Sequence, residues 1–170
     1  MEGGMRWKSA RASAEATVFH INFDNQIVSV QGTTPNVFRN IGRTQHDGVE
    51  LAMDYAFAPD SPLKGWSVFA NYTYTRALQK SGSNPGKDLP FYARTTDTLG
   101  VRMQTGPWTL NLSTTHQGRQ FADEANTVAE SADGSIGEIP GVRLWNAQAS
   151  WKVPGKKGFD LTAGVNNLLD

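Results

Sequence analysis

Along most of the 170 residues, apolar and polar side chains alternate with a period of two, the repeat of a strand that is apolar on one face only. Val49, Leu51, Met53, Tyr55 and Phe57 are interleaved with Glu50, Ala52, Asp54 and Ala56. Trp66, Val68, Ala70, Tyr72 and Tyr74 follow against Ser67, Phe69, Asn71, Thr73 and Thr75. The pattern returns in Leu99, Val101 and Met103, in Trp108, Leu110 and Leu112, in Trp145, Ala147, Ala149, Trp151 and Val153, and in Phe159, Leu161, Ala163 and Val165. Helix-period stripes with capping residues are hard to find. With weaker strands over 2–8 and 12–27 and one continuous strand over 37–57, the pattern predicts about eight strands.

The connections sort by length. Residues 9–11, 58–64, 105–107 and 154–158 are short and rich in Pro, Gly, Ser or Lys, whereas 28–36, 76–90 and 122–140 are long. Short and long alternate, so in an antiparallel meander every short turn lies at one end and every long loop at the other. Membrane barrels have this asymmetry.

Aromatic residues repeat the same polarity. Trp7, Phe57, Trp66, Trp108, Trp151 and Phe159 stand near short turns on the apolar parity, and Tyr72, Tyr74 and Trp145 stand on that parity towards the long loops. A membrane barrel carries such girdles where the wall meets each interface. From Trp66 to Tyr74 is roughly 27 Å of strand, or roughly 20 Å of depth after tilting. The chain therefore reads as all-β, an antiparallel transmembrane β-barrel segment. A soluble sandwich would have no reason to gather tryptophans at one end of its strands. A small closed barrel of eight strands is opposed by the 37–57 strand, roughly 70 Å at about 3.4 Å per residue. It is opposed too by the absence of a closing aromatic at Leu169 and Asp170.

Composition adds exclusions. Sixteen Lys and Arg balance sixteen Asp and Glu, which gives nucleic acid no basic surface. Cysteine is absent, so no thiolate site or nucleophile exists. His20, His46 and His116 are too scattered for a metal motif. Ser61 and Lys64 have a Ser-x-x-Lys spacing, but in a Pro-containing turn rather than on a helix. No enzyme, cofactor or protein-bound metal is indicated. Asp97 conflicts with the pattern, since it shares the parity of Leu99 and Val101. It must lie above the membrane, or a bulge resets the register.

Six stretches carry a resemblance: FHINFDNQI at 19–27, NIGRTQHDGVEL at 40–51, FANYTYT at 69–75, GRQFADEAN at 118–126, GEIP at 137–140 with Trp145 after it, and GVNNLLD at 164–170. In this order they resemble the C-terminal barrel of TonB-dependent outer-membrane receptors. The GRTQH and QFAD pieces look most like the ferric citrate branch. The resemblance implies eight strands of a barrel of roughly 22, with the plug domain, TonB box, export signal and closing strand outside this chain. It also implies a ferric chelate as ligand, outer-membrane lipid around the wall, and TonB as partner. A passive porin or an adhesin is the alternative.

A ferric chelate is usually anionic, and Arg recognises carboxylates bidentately. By parity and nearness to the long loops, His46, Arg94, Gln117 and Arg119 are the candidate contacts. The bland alternative is that they pair with Glu50, Asp123, Glu124 or neighbouring strands. Arg39, Arg43 and Arg76 take the lipid-facing parity above the bilayer, and Asp123, Glu124, Glu130 and Asp133 form a solvated acidic loop.

Overall fold

A computed structural model describes residues 1–30, 35, 37–155 and 158–169. Parts of the first long connection and the last short turn, together with Asp170, lie outside the described residues. The strands are β1 (Glu2–Lys8), β2 (Ala12–Phe23), β3 (Ile27–Val30), β4 (Val37–Asn40), β5 (Thr44–Ala56), β6 (Trp66–Gln79), β7 (Thr95–Thr105), β8 (Trp108–Gln117), β9 (Gln120–Phe121), β10 (Glu138–Ile139), β11 (Val142–Lys152) and β12 (Asp160–Val165). Eight of them form one sheet in the order β1-β2-β5-β6-β7-β8-β11-β12, each antiparallel to its neighbours. The sheet is open, with β1 and β12 at its edges. Two small hairpins, β3/β4 and β9/β10, stand on the long connections.

The register joins the apolar parities of the separate strands into one face. Trp7, Ala14, Met53, Ala70, Leu99, Thr114 and Trp145 are successive cross-strand partners, and Ala12, Tyr55, Val68, Val101, Leu112, Ala147 and Val165 form the next row. Among the described residues nothing covers this face. Leu99 and Leu161 remain 48% and 50% exposed, so it lacks the second layer a sandwich requires. All the predicted girdle aromatics lie on this face or continue its parity just past a strand end. Trp108 and Trp151 are register partners with stacked rings 5.8 Å apart.

The opposite face is lined with Ser, Thr, Asn, Gln and ion pairs such as Arg6–Glu15 at 2.9 Å. Aromatics interrupt it at Phe19, Phe23 and Phe69. Phe19 lies over Gly48 and Phe69 over Gly100, each ring occupying the space a Cβ on its glycine would need. Arg102 sits 4.1 Å above the Phe69 ring.

Two expected strands are shorter than their sequence pattern. Instead of running through 37–57, the chain breaks between β4 and β5, where Gly42 takes φ 81°. The 12–27 strand likewise ends at Phe23 and resumes at Ile27, past Asn25 with φ 60°. The Gln26 N–H donates to the Gly42 carbonyl at 2.9 Å and the Ile41 N–H to the Gln26 carbonyl at 2.8 Å. These two bonds carry the paired arms through the bend into β3/β4, so the length argument used against a small barrel loses its basis.

The closest packing lies where the loop end of β6 meets the long connections. Leu89, Ala77 and Ile41 are 1–3% exposed and form the apolar centre, with Val28 packed against them. Gln79 is fully buried beside them and donates to the Glu124 carbonyl at 2.8 Å. Asn126 accepts from the Asp88 N–H at 2.7 Å and donates to the Asp88 carbonyl at 2.9 Å. A wall one sheet thick has no interior of its own, so burial concentrates where the loops fold over the strand ends.

Candidate functional site

The β6–β7 connection (80–94) and the β8–β11 connection (118–141) meet above the polar face. Phe91, held at φ 60°, donates its N–H to the Phe121 carbonyl at 2.8 Å, and this bond fixes the first connection against β9. Between them is a cavity of about 160 Å³, lined by Asp88, Tyr92, Arg94, Arg119, Gln120 and Phe121 among others.

Arg94 forms a fork with Asp88, its Nε and Nη2 donating to both carboxylate oxygens at 2.8–3.2 Å. The Asp88 hydrogen bonds raise the Arg94 pKa above its ordinary value, so the guanidinium is permanently charged. Arg119 donates through Nη1 to Glu138 at 2.7 Å. Arg94 Nη1 and Arg119 Nη2 take no part in these pairs, and the two side chains are 50% and 69% exposed. The arginines are thus oriented by their carboxylates yet open to solvent.

His46 projects from β5 and is 6% exposed, with its ring edge-on to Phe23 at 5.1 Å and to Tyr92 at 5.2 Å. Gln117, the last residue of β8, donates to the Gln120 side chain at 3.2 Å. Of the four sequence candidates, Arg94 and Arg119 line the cavity. His46 and Gln117 are one contact behind it, through Tyr92 and Gln120.

The arginines' actual acids are Asp88 and Glu138, not Glu50, Asp123 or Glu124. Sequence reasoning missed these two as well as Tyr92 and Gln120, because all four lie in or beside loops where alternation carries no signal. Arg39, on β4, pairs with Glu124 of the β8–β11 connection. The acidic loop is used internally. Asp123 accepts from the Ala125 and Thr127 N–H groups, and Asp133 accepts from Ser131 and Ser135, which lowers its pKa to about 2. Among the described residues no three acidic or histidine side chains gather as a metal site.

Asp97 keeps the apolar-face parity, because the β6–β7–β8 register is unbroken from Thr95 to Thr105. The bulge alternative fails. Its carboxylate accepts from His116 at 3.0 Å and from Arg143 at 3.3 Å, both on the same face.

A family model described as TonB dependent receptor-like, beta-barrel, matches residues 1–168. The chain belongs to this family. Among solved structures, the receptor barrel is similar to the ferric citrate transporter FecA, with 38% identity over 99% of this chain and a TM-score of 0.86. It also shares its fold with the ferric yersiniabactin uptake receptor FyuA from Yersinia pestis, at 20% identity over 99% of this chain and a TM-score of 0.73. The copper transporter OprC is similar at 16% identity over 99% of this chain, with a TM-score of 0.74. The chain spans about a quarter of each, 26%, 24% and 25% of those chains. Membership in a receptor-like β-barrel family sets aside the soluble sandwich.

Proposed function

We propose that the chain is eight consecutive strands in the wall of a TonB-dependent receptor of roughly 22 strands, and that this receptor imports a ferric chelate, ferric citrate being the cargo. In this reading the plug domain and the TonB-contacting segment belong to other parts of the same protein. The apolar face meets lipid, the polar face lines the lumen, and the aromatic rows sit at the two interfaces.

The observation that carries the cargo is the 38% identity to a ferric citrate transporter across 99% of this chain. The cavity supports it chemically. Arg94 and Arg119 each carry a guanidinium N–H that its resident carboxylate does not use, and an anionic chelate presents carboxylate oxygens in the planar geometry such groups bind. Asp88 and Glu138 hold the donors in place without consuming them. His46 and Gln117 set Tyr92 and Gln120 at the cavity wall and are positioning residues.

Growth on limiting iron tests this reading. A receptor-deletion strain carrying the full-length gene is supplied with one chelate at a time. Ferric citrate is expected to restore growth. Arg94→Gln with Arg119→Gln is expected to lower uptake by about tenfold or more at unchanged receptor level. Growth restored only by a different chelate, or uptake untouched by the double substitution, would count against the proposal.

A further inference from the structure

The polar face of the wall divides by charge from strand to strand. On β6, β7 and β8 its rows run from Thr73, Thr96 and Gln117 at the long-loop end to Ser67, Arg102 and Asn111 towards the short turns. The rows between hold only Thr, Asn, Ser and Gly besides Phe69. Along these three strands the face carries no carboxylate. Its acids stand on other strands, as Glu2, Glu15, Glu50, Asp54 and Asp160.

The upper end of this uncharged lane opens beside the cavity of Arg94 and Arg119, whose lining includes Thr95. From Thr95 to Arg102 is roughly 24 Å of strand at about 3.4 Å per residue. Arg102 is the lane's one cation. Its guanidinium lies 4.1 Å above the Phe69 ring and meets Asp54 only at 3.5 Å, and the two side chains are 52% and 57% exposed. Arg94 and Arg119, by contrast, meet their carboxylates at 2.8 and 2.7 Å. An aromatic face seats a guanidinium without using its N–H donors, and the Asp54 contact is longer than a close charged hydrogen bond. Arg102 thus offers the polar face a positioned charge whose donors are little used.

We infer that Arg102 is a second anion station, which takes the carboxylates of the chelate as it passes down the wall from the outer cavity. A chelate with several carboxylates is repelled from the Glu15 and Glu50 side of the face. The hydroxyls and amides of β6 to β8 give it hydrogen bonds without holding it, and Arg102 supplies the next favourable charge. The inference rests on the proposed reading of the polar face as lumen and of the cargo as an anionic chelate, and it adds the strands along which that cargo moves.

The experiment uses the full-length receptor in a receptor-deletion strain, with ferric citrate carrying radioactive iron as the probe. Surface binding is read on cells treated with an uncoupler, and uptake on energised cells, at equal receptor level in the outer membrane. Arg102→Gln is expected to leave surface binding unchanged and to slow uptake about tenfold, the contribution of roughly one charge-assisted hydrogen bond. Arg102→Glu should slow it further, and Arg102→Lys, which keeps the charge, should retain most of it. Asp54→Asn leaves that charge in place and should hold uptake at or above the wild-type rate, whereas a purely structural ion pair would lose as much by either substitution. The urea midpoint of the purified Arg102→Gln receptor should equal that of wild type, because a contact that anchors another part of the protein would lower it on removal.

Unchanged uptake in Arg102→Gln, equal losses in Arg102→Gln and Asp54→Asn, weakened surface binding, or a lowered urea midpoint each overturns the inference. Wild type that fails to bind ferric citrate overturns the cargo reading, and the station falls with it. Normal wild-type binding and uptake with an inert Arg102 overturns the station alone.

Discussion

Leu89 is the most deeply buried apolar side chain under the long connections, 1% exposed and packed with Ile41 and Ala77. Leu89→Ala removes most of that side chain from a cluster too small to close over the gap. Buried Leu→Ala changes cost about 2–5 kcal/mol, and a cluster near the surface, free to relax on one side, belongs in the lower half, about 2–3 kcal/mol. Because the main sheet reaches this cluster only at the loop end of β6, through Ala77, the loss falls chiefly on local opening of the β6–β7 connection rather than on the wall.

At about 1.4 kcal/mol per factor of ten, the open population rises roughly 30- to 150-fold. Amide hydrogen exchange of the full-length receptor in detergent reads it directly. The N–H groups of Gln79, Gly86 and Leu89, bonded to Lys87, Gln79 and Ala77, should lose protection by that factor, while the β7–β8 ladder stays unchanged. A change below about threefold at these amides, or an equal loss along β7 and β8, would refute the view that the loops carry a packing unit of their own.

Gly100→Ala forces a methyl group into the Phe69 ring and should cost about 1–3 kcal/mol in urea unfolding of the reconstituted receptor, with part regained when Phe69→Ala is added. Asp97→Ala leaves Arg143 and His116 on the apolar face without their shared carboxylate, and a loss of about 1–3 kcal/mol is expected. Combining it with Arg143→Leu should cost less than the sum of the two single changes in a double-mutant cycle. Asp133 has its pKa lowered from 3.8 to about 2, so its contribution to loop order is complete above 3.8 and fades as pH falls through about 2. Protection of the Ser131 and Ile136 amides should accordingly hold from neutral pH to about pH 4 and decline only in stronger acid, whereas Asp133→Asn should lose it at every pH.

The sheet was readable in advance because a period of two survives wherever one face is uniformly apolar, and the eight-strand meander with its short and long connections followed from that alone. The same rule failed over 37–57. Alternation continues across Ile41 and Gly42, but it carries no information about φ, and the bend has a left-handed residue on each arm, Asn25 and Gly42. Asp97 looked anomalous for a related reason. A carboxylate on an apolar parity is explained only by partners on β8 and β11, 19 and 46 residues away.

For the site, parity together with nearness to the long loops picked out His46, Arg94, Gln117 and Arg119, of which Arg94 and Arg119 line the cavity. What parity lacks is any knowledge of how one loop folds on another. Asp88, Tyr92 and Gln120 come to the cavity, and Glu138 to Arg119, through the Phe91–Phe121 bond and the β9/β10 pairing, which are contacts between distant stretches with no local signature.

Single cysteines can report which end of the wall faces outside, and these 170 residues contribute none of their own. Ser83 is exposed on the β6–β7 connection and Asp60 on the short β5–β6 turn. Ser83→Cys and Asp60→Cys, each in the full-length receptor, would be treated on intact cells with a maleimide carried on a polymer too large for porin channels, and again after lysis. Labelling of Ser83→Cys on intact cells, with Asp60→Cys reached only after lysis, is the result predicted for a wall whose long loops form the outer mouth. Labelling of Asp60→Cys on intact cells, or protection of Ser83→Cys there, would contradict it.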